Sequence, residues 1–217
     1  VLCPPPAARN AAELALIQSA QRQGGGKLLP AGEIAHSEAG RRALAAIRAA
    51  EFGPLRALYL SIRQPRGGNG DVLAALGWEA LDFVFAAMPG NFERVRINAG
   101  TLFGAARDTA VLLLRRTDEV VATVELSRCL PESLPAPGLG EVEIEAMGAA
   151  QSIHALPLAA AVRVHRDDGV RLAPWLDAPV LGMLRTLEAA MDDPRTAGDG
   201  VARAARAVAV MERLGVG

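Results

Sequence analysis

The chain has 217 residues, of which 51% are hydrophobic, 22% are charged and 4% are aromatic, and its formal net charge is -1. This length fits one domain, or one large domain with part of another, and it is sufficient to bury a hydrophobic core. The balanced charge argues against a nucleic-acid partner, and no apolar stretch approaches the roughly 20 residues of a transmembrane helix. Cys3 and Cys129 have no metal-binding spacing and cannot build a disulfide framework. We therefore expect a cytoplasmic protein with no membrane partner.

The first half of the chain predicts helices separated by short strands. Apolar residues at helical spacing, followed by glycine or proline, mark where each helix ends. Leu55–Arg63 instead alternates, so that Tyr59, Ser61 and Arg63 share one face of a strand. In chain order the predicted elements are a helix over 7–23, a strand at Lys27–Ala31, a helix at Glu38–Glu51, the strand Leu55–Arg63 and a helix from Asp71 to Met88.

In the second half of the chain the hydrophobic pattern has a period of two, and two more helices follow. Because strands that are joined by short turns pair antiparallel, we predict an α+β fold with a large, predominantly antiparallel sheet and helices on one face. The other face would be hidden by a homodimer or a higher homo-oligomer. The predicted strands are Val95–Ala99, Ala110–Arg116, Val120–Arg128, Glu141–Met147, Ser152–Leu156 and Ala160–His165, and the last two helices are Pro179–Met191 and one capped by Asp199.

Several motifs for common chemistry are incomplete. Gly26-Lys27 lacks the rest of a phosphate-binding P-loop, and Gly68-Asn69-Gly70 has Leu73 where a dinucleotide fingerprint needs its third glycine. We therefore expect this chain to bind no cofactor alone. We also expect no metal site, because the histidines lie far apart in the sequence, at His36, His154 and His165. The alternating residues Glu141, Glu143 and Glu145 are expected to form a solvated face of a strand.

Several segments in order resemble oxidoreductases of the Gfo/Idh/MocA family, which includes glucose–fructose oxidoreductase and inositol dehydrogenase. This resemblance rests on the junction Phe52-Gly53-Pro54-Leu55-Arg56 and on the segments DVLAALGWEALDFVFAAMPG, DTAVLLLRRTDEVVATVELS and VEIEAMGAAQSIHA. The resemblance implies that residues 1–32 are the end of a Rossmann domain. It also implies that residues 33–217 form a substrate-binding and oligomerisation domain like the C-terminal domain of dihydrodipicolinate reductase. NAD or NADP would be bound by sequence upstream of this chain.

The chain departs from this family at the positions that carry its chemistry. Pro4-Pro5-Pro6 stands where the family has Glu-Lys-Pro, so Pro5 replaces the lysine beside the cofactor. In the helical pattern Asp-x-Gly-x-His, Ala75 replaces the aspartate and Glu79 replaces the histidine. We therefore predict a non-catalytic protein that serves ligand binding or oligomerisation. The alternative is an NAD(P)-dependent oxidoreductase acting on a sugar, a polyol or a related hydroxy compound, with the upstream domain present.

Glu79 is the candidate catalytic residue of that alternative. A carboxylate acts as a general base near neutral pH only when burial or a second carboxylate, here Asp82 at i+3, raises its pKa. The competing interpretation is a solvated or helix-capping carboxylate. Tyr59, Arg63 and Trp78 join Glu79 as candidates for binding a small sugar-like ligand. For Tyr59 and Arg63 the alternative is an exposed or dimer-forming strand face, and for Trp78 it is a core or interface position.

Overall fold

The computed structural model describes residues 1–67, 70–104, 106–132, 140–156, 161–166, 169–174, 179–192 and 200–216. These residues form ten strands, six α-helices and one 3₁₀ turn, Ala50–Phe52. The helices are α1 Ala11–Gly24, α2 Glu33–His36, α3 Glu38–Arg48, α4 Val72–Ala87, α5 Pro179–Asp192 and α6 Gly200–Arg213. The strands are β1 Leu2–Cys3, β2 Leu29–Pro30, β3 Leu55–Pro65, β4 Phe92–Gly100, β5 Thr109–Arg116, β6 Val121–Leu130, β7 Glu141–Gly148, β8 Ser152–Leu156, β9 Ala161–Arg166 and β10 Gly169–Pro174.

Eight strands form one sheet in the order β10-β9-β8-β7-β3-β6-β5-β4. The central strand β3 is parallel to β6 and antiparallel to β7, so Tyr59 lies between Thr123 and Glu145. The other neighbouring pairs of this sheet are antiparallel. The predicted α+β fold with a mostly antiparallel sheet is therefore confirmed.

Helices α3 and α4 cover one face of this sheet. The apolar residues of β3, Leu58, Leu60 and Ile62, point to that side and are almost fully buried. Helix α4 is apolar around nearly its whole circumference, and of its residues only Ala74 and Ala75 are exposed. A helix that is apolar on all sides is stable only when it is buried on all sides. Helix α4 is thus the centre of the core.

The first 30 residues form a separate β–α–β unit. Strands β1 and β2 pair in parallel, with Leu2 opposite Leu29. Helix α1 connects them; the Asn10 side chain caps its N-terminus, and Gly25 ends it in the left-handed conformation (φ 64°). Helix α6 packs against α1 and α4, which joins this unit to the core.

The structure differs from the sequence prediction at several boundaries. Helix α1 begins at Ala11 rather than at residue 7, because Asn10 accepts the N–H of Glu13 as its cap. The helix predicted over Glu38–Glu51 ends at Arg48 and gives way to the 3₁₀ turn. Helix α2 and strand β10 were not predicted, and the proposed cap Asp199 lies outside the described residues. No helix among the described residues has the length and apolar character needed to cross a bilayer.

Candidate functional site

A cavity of about 470 Å³ opens where β1, the start of α2 and the exposed corner of α4 meet. Pro5, Ala75 and Glu79 all line it, together with Trp78. The three positions that the resemblance marked as altered are therefore brought together around one cavity, although they lie up to 74 residues apart in the sequence. Two of the three, Pro5 and Ala75, offer no ionisable side chain to a molecule bound there.

Glu79 lies at the inner wall of this cavity and is 8% exposed. Its Oε1 accepts a hydrogen bond from the backbone N–H of Ile34 at 2.7 Å, in the first turn of α2. Burial, followed by the nearby carboxylates of Asp82 and Glu33, raises the pKa of Glu79 to about 8 against the lowering effect of the Ile34 N–H. Glu79 caps α2, as one interpretation predicted, but it is buried rather than solvated.

Asp82 stands one helical turn after Glu79, and the backbone of Gly32, the residue before α2, lies against both carboxyl groups. A Cβ atom at Gly32 would lie 2.6 Å from Asp82 Oδ2 and 3.1 Å from Glu79 Oε1. Glycine is thus required for this close approach of backbone to carboxyl groups. Asp82 Oδ1 also lies 3.6 Å from Nε of Arg203 on α6, an ion pair that offsets its charge.

Trp78 forms the boundary between this cavity and a much smaller one behind it. Its side chain is 6% exposed, and it lines both spaces, as do Pro5 and Pro6. The smaller space is also lined by the ion pair of Asp82 and Arg203. Trp78 is thus a core residue that also borders the cavity, and its role in binding a ligand stays a prediction.

Tyr59 and Arg63 lie on the opposite side of the sheet from α4, and they do not join Glu79. The Tyr59 hydroxyl donates to Glu125 Oε2 at 2.8 Å, and burial together with that carboxylate raises the pKa of Tyr59. Arg63 bridges two neighbouring strands, with its Nε 3.9 Å from Glu125 and its NH2 3.8 Å from Glu143. These side chains form a polar network on the face that the helices leave open.

The same face places His154 next to two glutamates of β7. His154 Nε2 lies 2.8 Å from Glu143 Oε1 and 4.0 Å from Glu145 Oε1. One ligand atom of each of these three residues lies within 4.8 Å of the others, a set that is chemically able to hold a metal ion. The expectation of no metal site considered the histidines alone, and it stays a prediction. Glu143 is partly buried and bonded, so the three glutamates are not a uniformly solvated face.

No family model and no curated protein sequence matches this chain. Solved structures do match it at low identity. UDP-N-acetylglucosamine 3-dehydrogenase from Acidithiobacillus ferrooxidans is 17% identical with a TM-score of 0.81, over 99% of this chain and 70% of that one. An oxidoreductase from Agrobacterium radiobacter, in complex with NAD+, L-tartaric acid and magnesium, is 14% identical with a TM-score of 0.76, over 97% and 69%.

A third match is a candidate myo-inositol dehydrogenase from Sinorhizobium meliloti, 16% identical with a TM-score of 0.72, over 98% of this chain and 71% of that one. This chain therefore spans about 70% of each of these three neighbours. At such identities the likeness concerns the fold. It confirms that the chain has the fold of oxidoreductases of the Gfo/Idh/MocA type.

That fold type implies a bound nicotinamide dinucleotide. The residues of this chain, taken alone, do not fit the requirements for binding one. A dinucleotide needs a glycine-rich turn that places backbone N–H groups against its pyrophosphate, and the sequence contains no such fingerprint. Beside Leu2 of β1 the cavity is lined by Pro4, Pro5 and Pro6, which have no backbone N–H to donate. We derive no chemical step through a dinucleotide from this chain.

Proposed function

We propose that this chain is the ligand-binding and oligomerising part of an oxidoreductase-type protein, and that it does not itself catalyse proton transfer with the residues usual for this fold. The observation that carries this proposal is the lining of the cavity, where Pro5 and Ala75 stand with Glu79. Without an ionisable group, proline and alanine can neither accept a proton nor orient a hydroxyl. In this proposal residues 1–32 complete a nucleotide-binding domain, and residues 33–217 hold the ligand together with the residues of 1–32 that line the cavity.

The ligand that we propose is a small sugar-like molecule. A volume of about 470 Å³ accommodates a molecule of that size. The Trp78 side chain, which lines the cavity, gives the C–H face of a sugar ring an apolar surface, and the Glu79 carboxyl group can bond a hydroxyl group. Isothermal titration with glucose, myo-inositol and a hydroxyl-free cyclohexane derivative tests this. The proposal requires that the first two bind and that Glu79→Ala weakens them about tenfold or more.

A second candidate function, favoured by the state of Glu79 alone, is an NAD(P)-dependent oxidoreductase acting on a sugar or polyol. With its pKa raised to about 8, Glu79 can exchange a proton close to neutral pH, as the sequence-based alternative required. The test is substrate-dependent reduction of NAD+ or NADP+, followed at 340 nm, by the protein that contains this chain. Reduction that is lost in Glu79→Gln establishes this candidate and overturns the first. Binding without reduction supports the first.

The oligomer that we propose is a homodimer formed through the open face of the sheet. On this face the polar network around Arg63 is flanked by exposed apolar residues, Val111, Leu113, Val121 and Met147. An exposed apolar surface with a polar centre is typical of an interface between copies of one chain. Light scattering after size-exclusion chromatography should give a dimer that Leu113→Asp dissociates, while Leu16→Asp on α1 does not. A monomeric parent protein contradicts the proposal.

The compartment that we propose is the cytoplasm. Cys3 and Cys129 are both free thiols, as is usual in a reducing compartment. Thiol titration of the protein purified without reductant should give two reactive groups after denaturation.

A further inference from the structure

The ionisable side chains that line the cavity are acidic. Among the described lining residues they are Glu33 and Glu79, and the remaining residues are all apolar. No lysine, arginine or histidine is among those lining residues. The Arg203 guanidinium lines the smaller space behind Trp78. It lies 3.6 Å from Asp82, and this carboxylate already balances the charge of Arg203.

Three backbone N–H groups near the cavity are not free to bind an anion. The exposed corner of α4 at Ala74 and Ala75 belongs to its first turn, where free N–H groups would attract an anion. The Asp71 side chain accepts the N–H of Leu73 at 2.8 Å, and the Asp71 carbonyl accepts that of Ala75 at 3.1 Å. The Ile34 N–H at the start of α2 is likewise taken by Glu79. These three donors are thus already engaged within the chain.

We propose that this cavity selects ligands by charge: it binds neutral or cationic sugar-like molecules that present a hydroxyl or an amine to Glu33 and Glu79, and it rejects carboxylates and phosphates. An anion placed here would face the Glu33 carboxylate and the Glu79 carboxyl group, with no basic side chain among the described lining residues to balance its charge. An ammonium group would instead replace the proton of Glu79 and form an ion pair. This inference rests on the proposed ligand-binding function and narrows its substrate class.

The test uses three sugars that differ at one carbon. Glucose, 6-amino-6-deoxyglucose and glucuronate carry a hydroxyl, an ammonium and a carboxylate group at carbon 6. Titrated calorimetrically at neutral pH and low salt, the amino sugar should bind about tenfold or more tighter than glucuronate, with glucose between them. The double variant Glu33→Gln/Glu79→Gln should reduce this spread to less than about threefold. Glu33 is exposed at the start of α2, so Glu33→Gln alone should fold normally and reduce part of the spread.

The outcomes separate this inference from the proposed function. If glucuronate binds as tightly as glucose, or more tightly, selection by charge is overturned while the ligand-binding function stands. A spread that persists unchanged in Glu33→Gln also overturns it, because the discrimination then comes from elsewhere. If none of the three sugars binds, the proposed function fails and takes this inference with it.

Discussion

The carboxyl group of Glu79 on α4 accepts a hydrogen bond from the backbone N–H of Ile34 on α2 at 2.7 Å, and both residues are buried. This single contact ties the helix that forms the centre of the core to the short helix at the rim of the cavity. It also holds one carboxyl oxygen of Glu79 in a fixed position beside the space that a ligand would occupy. Stability of the fold and chemistry of the cavity therefore depend on the same side chain.

Ionisation of Glu79 should make the protein less stable as the pH rises. The pKa is raised from 4.5 to about 8 in the folded state, so the folded protein binds more protons than the unfolded chain between these values. The stabilising contribution is complete below about pH 4.5 and is lost as the pH rises through 8. Since one pKa unit corresponds to about 1.4 kcal/mol, Glu79→Gln should gain on the order of 4 kcal/mol relative to the parent protein between pH 5 and pH 9.

Urea unfolding at a series of pH values measures this difference. The matched control is Glu33→Gln, which removes a nearby but exposed carboxylate and should leave most of the pH dependence in place. A constant difference between Glu79→Gln and the parent protein across this range would show that Glu79 titrates normally.

Gly40 controls how closely α2 and α3 approach each other. A Cβ atom there would lie 1.8 Å from the carbonyl oxygen of Ile34, which is backbone and cannot rotate away. Gly40→Ala should therefore push α2 outward and cost about 2–3 kcal/mol of unfolding free energy, although alanine is the better helix former by about 1 kcal/mol. The displaced Ile34 N–H should also lose its bond to Glu79.

Denaturant unfolding tests this against Gly24→Ala, at the end of α1, where nothing lies within 4 Å of the added Cβ. That control should be as stable as the parent protein or slightly more so. Equal stability of both variants would mean that α2 is not held at this distance.

The sequence predicted most of the sheet because its strands carry their own period. In β3 the alternation of Leu58, Leu60 and Ile62 with polar residues assigned both faces correctly. The parallel pairing of β3 with β6 could not be predicted, because the pattern of a strand does not specify its neighbours. Helix α2, with four residues, is too short to show a helical period.

The candidate site, like the sheet, could be predicted from the sequence only in part. The common location of Pro5, Ala75 and Glu79 followed from the family resemblance, and their spacing alone does not contain it. The cluster of Glu143, Glu145 and His154 was missed because it depends on the register of β7 with β8, where Glu145 lies opposite His154. An alternation of glutamates followed by a hairpin and a histidine was the signal available in the sequence.

The hydroxyl of Tyr59 and the carboxylate of Glu125 should be energetically coupled across β3 and β6. Their hydrogen bond of 2.8 Å is partly buried, and bonds of this kind contribute about 1 kcal/mol. A double-mutant cycle of Tyr59→Phe and Glu125→Gln should therefore give a coupling energy of about 1 kcal/mol. The control cycle uses Tyr59→Phe with Glu145→Gln, since Glu145 faces Tyr59 from β7 without a hydrogen bond between them among those described. Equal coupling in both cycles would indicate general electrostatics rather than this bond.

Asp108 should hold the loop between β4 and β5 in place. Its carboxylate accepts three successive backbone N–H groups, from Leu102 at 2.7 Å, Phe103 at 2.5 Å and Gly104 at 2.8 Å. These bonds hold the pKa of Asp108 below its ordinary value, and the bond from Leu102 has the largest effect. A carboxylate with a lowered pKa stabilises the folded state above its ordinary pKa, and this contribution is lost as the pH falls through the folded value.

Asp108→Asn removes the charge and one of the two acceptor oxygens, so hydrogen exchange of the amides at residues 102–104 should become at least about tenfold faster near neutral pH. The exchange of amides in β7 should not change, since that strand lies elsewhere in the sheet. The matched control is Asp118→Asn in the hairpin between β5 and β6, where the carboxylate pairs with Arg116 instead. If the amides at 102–104 exchange at the parent rate in Asp108→Asn, the loop is held by other contacts, such as the Arg66 guanidinium 4.0 Å over the Phe103 ring, and the carboxylate is dispensable.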